Sequence, residues 1–427
     1  MKKFFALLVC SCTLLFAVSG CNWGINPDDG GNTGYISEDE SLAGDVVTVG
    51  ESESPFYKLF VVNEGSFGGN NASLDFLRFK DGKYVNGAFA KMNPAVVGGL
   101  GDTANDVKVF LNSLWIVLNG SGIVQVLNPF NEKVLSEATS SYSGSVAIPS
   151  PRQIAFDYPN NCVYVTSYDG ATFEYTQDGV TGTDKKGSLY KVSLDNLAVL
   201  EKVEVGYQPE GVTVAGDNIY VANSGGYHYS LTGQYDNTVT VVNRSLFRKI
   251  AEIEVADNLK DVCTDGTNYV WVSSQGDFYS RHSSIHRIDV AKNELSTSLP
   301  EAVSQVRCSS WTSLGTVSNG YKIYIIGTDD EFNWEPDFVK SYSLYEVDMA
   351  SGNVKKVPFA GTDAASLKTP YGLCVNPYNG HLYICDAADF VSPGTVTAFD
   401  ADLKKVWTHT AGIVCGHPIL FAPVTVY

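Results

Sequence analysis

The residues that could carry chemistry recur at one equivalent place, where a short extended segment begins. Glu210 and His417 could act as a general base and acid, and Arg152 and Lys260 could pair with an anionic group such as a phosphate. The set at this place is Asn105, Arg152, Glu210, Lys260, Tyr371 and His417, with Arg307 as a further candidate. The alternative is that these side chains only hydrogen-bond neighbouring elements or water.

A unit of about fifty residues recurs seven times and must position these side chains. Each unit contains an apolar run that is typical of a buried strand. The runs are residues 59–62, 115–118, 163–165, 219–221, 269–272, 323–326 and 382–384. A segment opened by a turn former precedes each run, and an alternating segment that ends near Asn or Asp follows it. The pattern predicts an all-β fold, a seven-bladed β-propeller whose four-stranded antiparallel blades run A, B, C, D.

The two ends of the repeat region complement each other. Residues 416–421 resemble an A strand with no B strand after it, whereas the first repeat begins at its B strand near Leu59. The C-terminal strand is therefore expected to pair into the first blade and close the ring, which removes an open sheet edge. The predicted propeller domain covers residues 55–427.

The loops at the two ends of the predicted blades differ in length and composition. The A-to-B and C-to-D turns are short and contain Asn, Asp, Gly and Pro, whereas most B-to-C loops are long and aromatic. Long aromatic loops on one face indicate recognition, although any single ring could instead fold back as an anchor for its own loop. The predicted ligand-binding residues are Phe67, Arg152, Tyr168, Tyr175, Glu210, Tyr227, Tyr229, Tyr235, Lys260, Phe278, Tyr279, Phe332, Trp334, Tyr371, Phe390 and His417.

The N-terminus has the pattern of a bacterial lipoprotein signal. Two lysines precede an apolar stretch over residues 4–18, and small residues then lead to Cys21. We expect a signal peptide over residues 1–20, lipidation of Cys21 and a flexible tether over residues 21–54. An uncleaved membrane helix is the alternative, but the apolar stretch is short for a span. The expected location is the outer membrane, lipid-anchored and exposed at the cell surface.

Charge and cysteine spacing limit the partners. The net charge of −18 disfavours nucleic acid and anionic lipid surfaces, so the membrane contact would be the lipid anchor alone. No cysteine pair has the spacing of a metal site. Cys263 and Cys374 occupy the same position in their A strands, which favours buried thiols, and a Cys374–Cys385 disulfide is the alternative. The acidic residues 329–331 are either a calcium site or a solvated loop.

Three short motifs give the chain a family resemblance. Residues 63–67 (NEGSF), 151–154 (PRQI) and 205–211 (VGYQPEG) together resemble the YncE-like propeller lipoproteins of Bacteroidota. Within that group the chain is similar to the cobalamin-capturing BtuG proteins, and the resemblance covers nearly all of residues 55–427. It implies a non-enzymatic surface lipoprotein without a catalytic cofactor, which binds cobalamin and delivers it to a TonB-dependent outer-membrane transporter.

Cobalamin would suit the predicted face. Tyr and Trp could pack against its apolar surfaces, while Arg152 and Lys260 could pair with its phosphate. Two other functions stay open from the residues. One is a propeller lactonase or lyase that uses Glu210 and His417, and the other is a scaffold that docks a glycan or a protein through the aromatic loops.

Overall fold

The structure is a computed structural model that describes residues 38–49, 55–135, 144–177, 179–277, 280–297, 299, 301–304, 306–316, 320–328, 341–359 and 367–424. Its strands form seven blades around one ring, which confirms the predicted seven-bladed β-propeller. Blade 1 contains β1 (Asp45–Val46), β2 (Lys58–Asn63), β3 (Ser73–Arg78) and β4 (Lys83–Val85). Blade 2 contains β5 (Ala104–Phe110), β6 (Ser113–Leu118), β7 (Ile123–Leu127) and β8 (Ser145–Ala147). Blade 3 contains β9 (Pro151–Asp157), β10 (Cys162–Ser167), β13 (Lys186–Ser193) and β14 (Val199–Tyr207), with an added hairpin of β11 (Thr172–Thr176) and β12 (Gly179–Thr183).

The remaining blades repeat the same antiparallel order. Blade 4 contains β15 (Pro209–Ala215), β16 (Asn218–Asn223), β17 (Thr238–Asn243) and β18 (Arg248–Glu254), and blade 5 contains β19 (Leu259–Thr264), β20 (Tyr269–Ser274), β21 (Ser284–Asp289) and β22 (Glu294–Leu295). Blade 6 contains β23 (Cys308–Thr316), β24 (Gly320–Thr328), β25 (Tyr342–Asp348) and β26 (Val354–Pro358). Blade 7 contains β27 (Pro370–Val375), β28 (Leu382–Asp386), β29 (Pro393–Phe399) and β30 (Lys405–Ile413), and β31 (Cys415–Phe421) follows it. The described helices are α1 (Ala88–Met92), α2 (Gly226–Thr232), α3 (Glu301–Ser304) and the 3₁₀ turns Glu38–Ser41 and Tyr158–Asn160.

The apolar runs form the B strands. Strands β2, β6, β10 and β16 are buried along their whole length, because both faces of each strand pack against a neighbouring blade. The outer D strands β14 and β18 are largely exposed. This gradient explains why the B strands have continuous apolar runs in the sequence, whereas the outer strands mix polar and apolar residues.

The C-terminal strand closes the ring as predicted. Strand β31 pairs antiparallel with β2, with Leu420 opposite Leu59 and Pro418 opposite Val61. Leu420 also belongs to an apolar cluster that includes Tyr383 and Trp407 of blade 7. Closure therefore covers the inner edge of blade 1 and fills the seam between the first and the last blade.

Blade 1 has a fifth strand that the sequence analysis did not predict. Strand β1 pairs with β4 on the outer edge, and Lys83 Nζ donates to the carbonyls of Glu40 and Leu42 at 3.1 and 3.3 Å. Residues 38–49 thus lie against the propeller, although they fall within the predicted tether. Residues 1–37 and 50–54, which include the predicted signal peptide and Cys21, lie outside the described residues. Among the described helices, none has the length and apolar composition needed to cross a membrane.

The six cysteines of the described residues form no disulfide, and five of them are buried. Cys374 lies opposite Tyr383 and Cys385 lies opposite Gly372, so the alternative Cys374–Cys385 disulfide does not form in this structure. Both thiols belong to the apolar cluster between blades 7 and 1. They act there as small apolar side chains.

Candidate functional site

Backbone hydrogen bonds bring the B-to-C loops and the D-to-A connections together on one face, which we call the mouth face. In every blade the last residue of the B strand or the first residue after it donates its N–H to a carbonyl of the D-to-A connection. The bonds are Glu64 to Val414, Asn119 to Thr103, Tyr168 to Ser150, Ser224 to Gln208, Gln275 to Asn258, Thr328 to Arg307 and Ala387 to Thr369. This repeated bond confirms the predicted gathering of the long loops on one face.

The first cluster at the mouth centres on Glu210. The Arg152 guanidinium donates to both of its carboxylate oxygens, with Nε to Oε2 at 3.0 Å and Nη2 to Oε1 at 3.1 Å. Tyr168 donates its hydroxyl to Glu210, and Lys260 Nζ lies 3.5 Å from Oε2. Arg152 also donates to Asn105 Oδ1 at 2.6 Å. Side chains from blades 3, 4 and 5 therefore meet at one carboxylate, and Asn105 of blade 2 joins them through Arg152.

The second cluster centres on Glu64, which the sequence analysis did not single out. His417 Nε2 lies 2.9 Å from Glu64 Oε1, and the Tyr371 hydroxyl donates to the same oxygen at 3.1 Å. Glu64 directly follows the B strand β2, whereas the predicted ring of mouth residues lies near the start of the A strands. Its only sequence signal was its place in the NEGSF motif.

The electrostatics keep both carboxylates ionised. Burial opposes ionisation of Glu210, but the charges of Arg152 and Lys260 outweigh it and lower the pKa of this carboxyl. Burial likewise opposes ionisation of Glu64, and the hydrogen bond and charge of His417 lower its pKa overall. Burial also raises the pKa of Tyr168 and Tyr371, and the neighbouring carboxylates add to this effect. The tyrosines thus remain neutral donors.

The cations of the mouth keep part of their surface open. The side chain of Arg152 is 13% exposed and that of Lys260 is 28% exposed. The Arg152 guanidinium also lies 4.9 Å from the centre of the Tyr168 ring. An anionic group that enters the mouth would therefore meet two held cations on a protein that is otherwise strongly acidic.

Four aromatic rings lead from this mouth to solvent, and we call them the aromatic ridge: Tyr168, Tyr227, Phe173 and Tyr175. Tyr168 meets Tyr227 edge-on at 5.0 Å between ring centres, and Tyr227 lies 4.5 Å from Phe173. Phe173 contacts Tyr175 at 5.4 Å, and Tyr175 is 74% exposed. The β11–β12 hairpin of blade 3 and α2 of blade 4 supply the upper rings, so both long loops build one surface.

A second exposed aromatic sector lies on the loops of blades 1 and 7. Phe67 is 76% exposed, and Phe390 is 47% exposed and contacts Tyr371 edge-on at 5.5 Å. Phe67 thus projects into solvent, whereas Phe390 packs against Tyr371 of its own blade and keeps about half of its surface exposed. Tyr168, in contrast, is buried, and its hydroxyl donates to Glu210 of the next blade.

Tyr229 and Tyr235 form a separate stack, 4.1 Å apart between ring centres. Tyr229 follows Tyr227 by two positions on α2, and such residues project from nearly opposite sides of a helix. Tyr235 lines a cavity distinct from the mouth. The long loop of blade 4 thus contributes rings both to the ridge and to this cavity.

The other predicted residues fall into two groups. Arg307 precedes β23 and donates Nη1 to the carbonyl of Ser304 at 3.2 Å. Phe278, Tyr279, Phe332 and Trp334 lie outside the described residues, as do the acidic residues 329–331. Within the described part of the chain, no group of three or more His, Cys, Asp or Glu side chains is placed to hold a metal ion.

Comparisons with known proteins concern the scaffold. No family model and no curated protein matches the sequence. Among solved structures the chain is similar to a quinonprotein alcohol dehydrogenase-like protein from Bacteroides thetaiotaomicron, with a TM-score of 0.55 and 12% identity over 85% of this chain and 78% of that chain. It is also similar to Kuenenia stuttgartiensis hydrazine synthase (TM-score 0.48, 20% identity, 68% and 74% covered) and to apo AztD from Citrobacter koseri (0.45, 11%, 86% and 99%). At these identities, what the chain shares with the first of these proteins is the propeller fold.

Proposed function

We propose that this protein is a surface capture protein that binds cobalamin on the mouth face. One observation carries the proposal: the ridge connects solvent with two partly open cations, Arg152 and Lys260, on the same face. A broad ligand with apolar surfaces and one anionic group would use both parts. Cobalamin has this composition, because its rim carries amides and its nucleotide loop carries one phosphate.

The fit depends on how donors and acceptors are arranged. The phosphate would lie against Arg152 and Lys260, whose present partner Glu210 remains as their internal counter-ion. The amides would find acceptors in Glu64 and Asn105 and a donor in Lys260. Aromatic rings at the tip of the ridge would pack against the apolar surfaces with little loss of side-chain entropy.

Capture at a cell surface requires attachment and a recipient. In this proposal the lipidated Cys21 anchors the protein in the outer membrane, and a TonB-dependent transporter receives the cobalamin. The signal-like N-terminus and the family resemblance support this part. Labelling of intact cells with an antibody against the propeller, compared with a Cys21→Ser variant, would test the anchor.

Equilibrium dialysis of residues 22–427 against cyanocobalamin tests the ligand. We expect retention of the red ligand and a loss of affinity of roughly tenfold or more in Tyr175→Ala, because this ring lies at the exposed tip of the ridge. Tyr158→Ala is the matched control, since Tyr158 is also exposed but lies on an A-to-B turn at the opposite face. Absence of measurable binding to any corrinoid would refute the proposal.

A lactonase or lyase is the second candidate, and one observation favours it. His417 and Glu64 form a histidine–carboxylate pair, with the Tyr371 hydroxyl on the same carboxylate. Glu210 is a weaker candidate base, because the Arg152 guanidinium already donates to both of its carboxylate oxygens. Turnover of a lactone that is lost in both Glu64→Gln and His417→Gln would favour the enzyme over the capture protein.

A further inference from the structure

A second cavity on the mouth face lies between blades 3 and 4, on the side of α2 away from the ridge. Its volume is about 200 Å³, and Lys186, Tyr207, Tyr235, Asn237, Thr238 and Glu252 contribute to its lining. The cavity thus has room for one small ring and is too small for a corrin.

The walls of this cavity are held in place by stacking. Tyr207 stacks on His228 at 4.0 Å, and Tyr235 stacks on Tyr229 at 4.1 Å between ring centres. His228 Nδ1 lies 3.0 Å from both carboxylate oxygens of Asp184 on the neighbouring blade. Two aromatic walls are therefore positioned before any ligand binds, which lowers the entropy cost of binding.

Asp236 forms part of the floor of the cavity, and its carboxylate already accepts hydrogen bonds from the protein. Asp236 accepts the backbone N–H of Tyr207 at 2.7 Å, the backbone N–H of Thr238 at 3.0 Å and the Thr238 hydroxyl at 2.7 Å. Both of its oxygens are used by the protein. Asp236 therefore shapes the cavity and contributes little attraction for a cation.

Two further charged side chains line the cavity: Lys186, a hydrogen-bond donor, and Glu252, an acceptor. Lys186 places its ammonium 5.8 Å from the centre of the Tyr207 ring, where a ligand cation would otherwise bind. Glu252 is exposed and is ionised at neutral pH, since the hydrogen bond from Lys249 lowers its pKa. One donor cation and one acceptor anion line the same space, so neither a free anion nor a free cation is favoured.

We propose that this cavity binds one neutral pyranose ring of a glycan. Each sugar hydroxyl both donates and accepts a hydrogen bond, so it can pair with Lys186 as well as with Glu252. The apolar C–H face of the ring can pack against Tyr235, as apolar faces do on aromatic side chains. The site is independent of the cobalamin site, because the residues that line it do not include those of the ridge or the mouth.

Saturation-transfer NMR on residues 22–427 tests the proposal with the methyl glycosides of glucose, galactose and mannose, each at up to about 50 mM. We expect transfer to the ring protons of at least one glycoside. Glu252→Gln should lower the affinity for that glycoside by roughly tenfold, because it removes a charged acceptor. Glu204→Gln is the matched control, since Glu204 is also exposed on an outer strand, β14.

A second variant guards against a folding defect. Tyr235→Ala removes the stacking wall and should abolish the transfer, and its unfolding midpoint shows whether the blade is intact. Cyanocobalamin binding should persist in Glu252→Gln, which separates failure of this site from failure of the mouth. Absence of transfer for all three glycosides, binding of choline in their place, or equal binding by wild type and Glu252→Gln would overturn the proposal.

Discussion

Single residues at the mouth of the propeller hold one another in charged states. The Arg152 guanidinium donates hydrogen bonds to Glu210 and Asn105. Glu210 also accepts a hydrogen bond from Tyr168 and forms an ion pair with Lys260. Such a cluster has its geometry set before a ligand arrives, but it depends on every member. Removing one charge leaves the other buried without its partner.

The Arg152–Glu210 pair leads to a stability prediction. Arg152→Met should lower the free energy of unfolding by about 3–5 kcal/mol, because it leaves the Glu210 carboxylate buried beside Lys260 alone. Urea unfolding followed by tryptophan fluorescence would measure the change. Arg152→Met with Glu210→Leu should recover most of it. A single variant within about 0.5 kcal/mol of wild type would contradict the account.

The buried Asp169 carboxylate leads to a prediction about the free energy of unfolding at low pH. Burial opposes its ionisation, but Lys202, Tyr190 and Lys185 hold the pKa of this carboxyl at about 2. A folded-state pKa below the unfolded value adds stability above about pH 4, and that stability is lost as the pH falls toward 2. The loss should be about 1–2 kcal/mol. Asp169→Asn should flatten the curve of unfolding free energy against pH in this range, and an unchanged curve would contradict the assignment.

Between elements, a charged clamp joins turns of two blades on the face opposite the mouth. Arg244 follows β17 in blade 4 and donates Nε to Asp157 Oδ2 at 2.6 Å, at the end of β9 in blade 3. A second nitrogen of the same guanidinium donates to the other oxygen of the carboxylate. Asp157 is buried, so this bidentate pair fixes how the two blades meet.

The clamp predicts a difference between two substitutions. Arg244→Ala should destabilise the protein by about 3 kcal/mol, and Arg244→Lys should recover only part of this, because lysine cannot match both oxygens of Asp157. Thermal unfolding by calorimetry would measure both variants. Arg248→Ala on exposed β18 is the control. Full recovery by lysine would show that charge alone, without bidentate geometry, joins the blades.

The β11–β12 hairpin should be dispensable for folding and required for binding. It pairs only with itself, whereas β10 and β13 keep their own register from Cys162 and Ser193 to Ser167 and Ser188. Replacing residues 171–184 with a short Gly-Ser linker should leave the circular dichroism spectrum nearly unchanged. It should weaken cobalamin binding by roughly tenfold or more, because Phe173 and Tyr175 are removed. Intact affinity would exclude the ridge from the ligand site.

Repetition decides which features the sequence could predict. The B strands and the mouth positions of Arg152 and Glu210 recur in every blade, so their spacing alone placed them. Glu64 directly follows a B strand, and the residues at this position in other blades, such as Asn119 and Tyr168, differ in type, so no repeated residue marked it. The opposite directions of Tyr227 and Tyr229 depend on α2, which has seven residues and too few turns for a hydrophobic period to be visible.

At the scale of the whole molecule, closure by β31 links the first and last blades and also places His417 in the mouth. Deleting residues 415–427 should therefore abolish cooperative unfolding, because it exposes the edge of β2 and opens the seam between blades 7 and 1. A cooperative transition near the wild-type midpoint would mean that the ring closes without this strand. Gel filtration would show whether the truncated chain associates through the exposed edge.

A crystal structure of residues 22–427 grown with cyanocobalamin would show where the ligand binds. We expect the corrin on the mouth face against Tyr175 and Tyr227, with a phosphate oxygen within hydrogen-bond distance of Arg152 or Lys260. Cobalamin bound on the face of the A-to-B turns, or a mouth that stays empty at saturating ligand, would contradict this expectation.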